Sequence, residues 1–134
     1  MELKLNKYKT FENNEYEYEE NLKIKAREAV DFIAKNVLPN GYLSASPDYK
    51  WYKPHWFRDT SFVAKSLFEY AYYDDSNNAL KVANRILKFN INAIERFIPN
   101  IRRLQDISYE SSEFFKLKNH IPARVGIDGY YYID

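Results

Sequence analysis

The chain has 134 residues, of which 46% are hydrophobic and 18% aromatic. A chain of this length and composition can bury a core, so it does not belong to the disordered class. Its 20 Lys and Arg side chains nearly balance 19 Asp and Glu, for a formal charge of +1. This balance argues against a protein that binds nucleic acid or a membrane surface through a basic field.

The sequence lacks the residues or patterns that several kinds of site and segment require. The absence of cysteine excludes a disulfide framework and a thiolate metal site. His55 and His120 lie far apart and lack the spacing of a helical metal site, so we expect no metal and no cofactor. The N-terminal residues MELKLNKYKT lack the apolar core of a signal peptide, and no run approaches the ~18 apolar residues of a membrane span. We therefore expect a cytoplasmic protein in which residues 1–134 form a single domain.

Apolar spacing predicts three amphipathic helices in chain order. The first extends from about Tyr18 to Leu38 and is ended by Pro39-Asn40-Gly41. The second begins at Asp59 or Thr60, either of which can cap it, and extends to about Tyr73. The third follows the turn DDSNN, extends from about Asn78 to Phe97 and stops before Pro99. The apolar positions expected to face the core are Leu22, Ala26, Ala29, Val30, Ile33 and Val37 in the first helix, Phe62, Val63, Leu67, Phe68 and Ala71 in the second, and Leu80, Ala83, Ile86, Leu87, Ile91, Ile94 and Phe97 in the third.

The patterns outside these helices are weaker. Residues 1–16 are polar, and the alternation from Glu15 to Glu19 fits either a half-buried strand or the beginning of the first helix. After Pro99, the residues around Arg102-Arg103 fit a short helix or an irregular segment, and Ser111 to Leu117 fit one or two helical turns. The end of the chain, NHIPARVGIDGYYYID, looks extended, with a tight turn at Asp128-Gly129.

One segment stands apart from the helices in its composition. Residues 41–59 read GYLSASPDYKWYKPHWFRD, contain both tryptophans, Trp51 and Trp56, and end in the adjacent pair Arg58 and Asp59. Pyranose sugars suit such a segment, because their C–H faces pack on aromatic rings and their hydroxyls bond to guanidinium and carboxylate groups. Two other interpretations remain open. Asp59 can be a helix cap with an ion-paired Arg58, and the aromatic residues can belong to the core.

The segment GYLSASPDYKWYKPHWFRDTSFVAKSLFEYA resembles the substrate-binding loop of the glucoamylase family of glycoside hydrolases, family 15. Members of that family have a Ser-Pro turn, then aromatic residues, then a Trp-x-Arg-Asp motif that opens an inner helix of an (α/α)6 barrel. The later segment HIPARVGIDG is similar to a stretch of the same enzymes with a basic residue and an Asp-Gly turn. The resemblance therefore implies a mainly α fold, with helical hairpins that form the N-terminal part of an (α/α)6 barrel.

The resemblance also implies a role for four residues. Trp56 would pack on the sugar in the first subsite, and Tyr52 would line the same pocket. Arg58 and Asp59 would bind the hydroxyls at the non-reducing end. Inverting hydrolysis needs a general acid and a general base about 6.5–9.5 Å apart, and in the family both lie later than the matched region. No residue of this chain can be assigned to either role, and the chain supplies too few hairpins to close the barrel, so we expect it to be inactive alone.

Three functions follow from these observations. The first is a glucoamylase-like domain that binds the non-reducing end of an α-glucan or oligosaccharide and hydrolyses it when complete. The second is a non-catalytic relative that binds a glycan or a protein, and the third is a helical interaction module. An incomplete barrel exposes apolar helix faces, so the remainder of a barrel or a second copy of the chain is the other expected partner. Neither nucleic acid nor membrane is expected to be a partner.

Overall fold

The computed structural model describes residues 2–46, 53–118 and 121–130, with side chains described from residue 15 onward within these ranges. The described part is mainly helical, which confirms the predicted α class. The chain divides into two units, Met1–Ile33 and Ala34–Asp134. Among the described helices, none combines the length and the apolar character needed to cross a membrane.

The first unit is formed by most of helix α1, Glu2–Asn36. The predicted start at Tyr18 was wrong, because the polar residues before it also lie in the helix. This segment has no Gly or Pro, and Glu and Lys are good helix formers. Ion pairs of 2.8 Å join Lys23 to Glu20 and Lys25 to Glu28 along its exposed surface. Of the residues predicted to face the core, Val30 and Val37 are buried and Ile33 is half-buried, but Leu22, Ala26 and Ala29 are exposed.

The second unit contains a helical hairpin of α2, Phe57–Asp74, and α3, Asn77–Glu95. Asp75 adopts a left-handed conformation between the helices, and the Ser76 side chain accepts a hydrogen bond from the backbone N–H of Ala79, which caps α3. The helices are antiparallel, since Thr60 at the start of α2 contacts Asn90 near the end of α3. The predicted second and third helices are therefore confirmed, with ends that differ by a few residues.

The predicted cap of α2 was wrong. The helix begins at Phe57, and Trp56 occupies the N-cap position without a side-chain hydrogen bond. Asp59 lies inside the first turn, where its charge is favourable near the positive end of the helix dipole. The Thr60 hydroxyl donates to the Trp56 carbonyl oxygen at 2.8 Å.

The buried faces of the hairpin agree only in part with the predicted ones. In α2, Leu67 is buried as predicted but Phe62 is 66% exposed. In α3, Ala83 and Ile86 are buried as predicted, and the small residues Ala79 and Ala93 join them, since alanines let two helices approach closely. The buried residues of α3 are Ala79, Val82, Ala83, Ile86, Phe89, Asn90 and Ala93. The predicted core residues Leu80, Ile91 and Ile94 are exposed instead.

Two short helices and a strand complete the second unit. Helix α4, Ile98–Asp106, has Pro99 in its first turn, and α5 is Ser112–Lys118. An Arg103–Glu113 ion pair joins them. Strand β2, Arg124–Val125, pairs antiparallel with β1, His55–Trp56. A tight turn follows β2, in which the Gly129 N–H donates to the Gly126 carbonyl oxygen at 2.9 Å, so the predicted turn is confirmed.

Gly41 lets the chain after α1 pass close to α3. Its φ is +94°, which L side chains rarely adopt, and an added Cβ would lie 2.0 Å from the backbone oxygen of Arg85. The neighbouring Tyr42 packs edge-to-face on Phe89 of α3, with ring centroids 5.9 Å apart. The first residues of the aromatic segment therefore pack against α3, and this contact fixes where the segment starts.

Candidate functional site

The candidate site lies where β1 meets β2. His55 pairs with Val125 and Trp56 pairs with Arg124, and the Phe57 N–H donates to the Ala123 carbonyl oxygen at 3.3 Å. This pairing joins two segments that are far apart in the sequence. Both were singled out in the sequence, one for its aromatic residues and one for its basic residue and Asp-Gly turn.

Successive residues of β1 point to opposite sides. His55 is fully buried and its ring lies 4.5 Å from that of Phe89, measured between centroids. Trp56 is only half-buried, and the Arg124 guanidinium lies 5.2 Å from the centre of its ring, which is within cation–π range. The Trp56 Nε1 atom is buried and no described residue accepts a hydrogen bond from it. The strand therefore places the histidine in the core and the tryptophan beside an arginine.

Arg58 and Asp59 lie next to Trp56 in the first turn of α2. The Arg58 Nε–H donates to Asp59 Oδ1 at 3.1 Å. The side chains are 83% and 48% exposed, respectively, so water screens this ion pair and it adds little to stability. Within the described part of the chain this bond uses only Nε, so the terminal N–H groups of the exposed Arg58 are open to solvent or to a ligand.

A buried polar network holds the start of α2 against α3. Asn90 of α3 donates to the Thr60 hydroxyl at 3.3 Å and to the Ser61 hydroxyl at 3.2 Å. Its Oδ1 lies 2.5 Å from His55 Nε2. The His55 Nδ1 accepts a hydrogen bond from the Leu43 N–H at 3.0 Å. One histidine thus connects the aromatic segment to both helices of the hairpin.

These contacts fix the charge state of His55. A nitrogen that accepts from a backbone N–H carries no proton, so the proton lies on Nε2 and is donated to Asn90. Burial lowers the pKa of His55 below its ordinary value, because the charged imidazolium would lose its hydration among Tyr42, Phe57 and Phe89. His55 is therefore a neutral part of the core and not a free acid or base.

The predicted site residues have three different placements. Trp56, Arg58 and Asp59 lie together at the junction of β1 and α2. Tyr52 lies outside the described residues, so its predicted place in the same pocket stays a prediction. Three other members of the aromatic segment, Tyr42, His55 and Phe57, pack in or against the core, as the alternative interpretation of the aromatic residues proposed.

The sequence did not identify Arg124 as a member of the site. Its segment had been noted for its similarity to glucoamylases, but an isolated ARVGIDG stretch does not reveal which strand it pairs with. The register of β1 and β2 supplies that information, since it places Arg124 opposite Trp56. The resulting group of Trp56, Arg58, Asp59 and Arg124 is called the Trp56 cluster below.

Comparison of the chain with protein-family models, with curated proteins and with solved structures finds no match. The glucoamylase resemblance therefore remains a prediction from the sequence motifs. The chemistry of the Trp56 cluster is therefore the main indication of function.

Proposed function

We propose that the Trp56 cluster binds the non-reducing end of an α-linked glucoside, as part of a glucoamylase-like (α/α)6 domain that performs inverting hydrolysis when complete. The observation that carries this proposal is the pairing of Trp56 with Arg124 beside the Arg58–Asp59 pair. Two sequence segments with independent similarity to the same enzymes meet at this point. If either similarity had arisen by chance, the two segments would have no reason to be neighbours in the structure.

The chemistry of the cluster suits a sugar. The half-buried Trp56 ring offers an apolar surface for the C–H face of a pyranose. Arg58 supplies hydrogen-bond donors and Asp59 supplies acceptor oxygens from adjacent helix positions, so together they satisfy both roles of vicinal hydroxyls. Arg124 adds a second guanidinium over the Trp56 ring. A ligand with apolar faces and hydroxyl edges makes use of all four side chains.

The hairpin supports the placement of this site in a larger helical domain. The cluster lies at the N-terminal end of α2, while the polar network of His55, Thr60 and Asn90 holds that end against α3. Because these contacts fix the end of α2 and the adjacent strand pair, the site is pre-organised. Pre-organisation lowers the entropy cost of binding. This is the arrangement expected for a hairpin that presents a sugar-binding residue group at one end of a barrel.

Intrinsic fluorescence can test the proposal, because the chain has only two tryptophans. In a Trp51→Phe background, the emission reports on Trp56 alone. Titration with maltose is expected to give a saturable change, with weaker changes for glucose and trehalose or none. Arg58→Ala should weaken maltose binding by about tenfold or more, since it removes a charged hydrogen-bond donor.

Arg103→Ala is the matched control, because Arg103 is also an exposed arginine in a local ion pair with a carboxylate. It should leave the titration unchanged. An equal loss of maltose affinity in Arg58→Ala and Arg103→Ala would contradict sugar binding at Trp56. The absence of a fluorescence change with any of the sugars, in a folded chain, would contradict it as well. The helical interaction module would then be the better interpretation.

A further inference from the structure

We propose that Arg96 and Asn40 position Arg124 in the Trp56 cluster. They do so by holding the turn that follows β2, residues 126–130, which is called the β2 turn below. The inference rests on the proposed function, because Arg124 is one of the side chains expected to contact the sugar. Arg96 and Asn40 are not members of the cluster and act on it through Arg124.

Arg96 makes two contacts with the β2 turn from the end of α3. Its Nη1 donates to the Asp128 carbonyl oxygen at 2.5 Å, and its guanidinium lies 4.3 Å from the centre of the Tyr130 ring, within cation–π range. A planar guanidinium can donate a hydrogen bond at its edge while its face lies on an aromatic ring, whereas an ammonium group has no such face. One side chain therefore holds two residues of the turn.

Gly129 gives Arg96 the room for these contacts. A Cβ added at Gly129 would lie 2.6 Å from Arg96 Nη1, and the φ of Gly129 is +77°. A residue with a side chain would therefore be strained at this position and would displace the guanidinium. The Asp128-Gly129 turn that the sequence indicates thus accommodates the arginine at the end of α3.

Asn40 holds the same turn from the segment that follows α1. Its Nδ2 donates to the Ile127 carbonyl oxygen at 2.9 Å, and its Oδ1 accepts from the Tyr42 N–H at 3.0 Å. The amide thus uses its donor and its acceptor on two different segments. The β2 turn is therefore attached to two other parts of the second unit.

The β2 turn follows directly on β2, so its position affects Arg124. The strand has only two residues, and few bonds join it to β1. Val125 is fully buried, whereas Arg124 is half-buried and points to the other side of the strand. Core packing of Val125 fixes one side of the strand. The attached turn fixes the direction in which the chain leaves β2, and with it the direction of the Arg124 side chain.

The indole N–H resonance of Trp56 tests this role without sugar. In a Trp51→Phe background the chain has a single indole N–H, whose chemical shift in a proton–nitrogen correlation spectrum responds to a guanidinium over the ring. Arg124→Ala should move this resonance, and Arg96→Ala should move it in the same direction. In an Arg124→Ala background, Arg96→Ala should cause no further shift. Arg102→Ala is the matched control, because Arg102 is also an exposed arginine but lies on α4, and it should leave the resonance in place.

Asn40→Asp tests the second contact with little change in shape. The carboxylate keeps an acceptor for the Tyr42 N–H but has no donor for the Ile127 carbonyl oxygen. The Trp56 resonance should move in the same direction as in Arg96→Ala. Circular dichroism shows whether each variant keeps its helices, and Asn40→Asp provides the test if Arg96→Ala does not fold.

Maltose titration separates this proposal from the proposed function. Arg96→Ala should weaken maltose binding by about threefold to tenfold, and this effect should disappear in an Arg124→Ala background. A resonance that moves as expected in a chain that does not bind maltose would support the positioning role and contradict the proposed function. A resonance that stays in place in the folded variants, or a loss of affinity that persists without Arg124, would overturn the positioning role even if the wild type binds maltose.

Discussion

At the scale of single residues, His55 and Trp56 show how adjacent aromatic side chains take different roles. The two are neighbours in β1, yet one is fully buried and the other lies beside Arg124. A strand of two residues is too short to give an alternating pattern in the sequence. The composition of the segment therefore indicated a site, but it could not separate the residues of the core from those of the site.

The buried His55 should make stability depend on pH. Its pKa is lowered in the folded state, so protonation favours unfolding. This histidine's contribution is fully present above the ordinary pKa of 6.5 and is lost as the pH falls below it. We expect the free energy of unfolding to decrease between about pH 7.5 and about pH 5.5, with a slope of at most ~1.4 kcal/mol per pH unit.

Urea denaturation at a series of pH values measures this slope. His55→Gln should be less stable at neutral pH and should lose the histidine-dependent slope, whereas His120→Gln should keep it. A slope that is the same in wild type and His55→Gln would show that another group titrates in this range.

At the scale of elements, the helices could be predicted from the sequence but their buried faces only in part. Apolar residues cover a wide arc of α3, and spacing alone does not tell which part of that arc faces α2. The structure assigns the part with small residues, such as Ala79, Ala83 and Ala93, to the core. The extension of α1 to Glu2 was missed for a different reason, because that segment has helix-forming residues without apolar periodicity.

The contact between the aromatic segment and α3 depends on Gly41. Gly41→Ala should destabilise the chain by about 2–4 kcal/mol, because it combines an unfavourable φ with a Cβ that clashes with the Arg85 backbone. Thermal unfolding followed by circular dichroism measures the loss.

Gly126→Ala is the control for this change. Gly126 does not have a positive φ, and the nearest atom to an added Cβ is Asp128 Oδ1 at 3.4 Å, which is a tight contact with a side chain and not with backbone. It should change stability by less than about 1 kcal/mol. Equal destabilisation by the two substitutions would mean that the close approach of Gly41 to α3 is not important for the fold.

At the scale of the whole molecule, the Trp56 cluster joins two segments that are distant in the sequence, because it lies at the junction of β1 and α2 and includes Arg124 of β2. The sequence predicted the mainly α class and three of the four cluster residues. The sequence could not identify Arg124 as a member of the cluster, because the pairing of two distant strands depends on tertiary contacts and not on local pattern.

The proposed recognition of a chain end can be tested directly by saturation-transfer NMR with maltotriose and α-cyclodextrin. Both sugars contain α-1,4-linked glucose with the same ring faces, but the cyclic one has no non-reducing end. We predict transfer to the terminal non-reducing ring of maltotriose, its loss in Arg58→Ala, no transfer to cyclodextrin, and no release of glucose during the measurement. Equal transfer to the two sugars would contradict recognition of the chain end, and absence of transfer to maltotriose would contradict sugar binding by the Trp56 cluster.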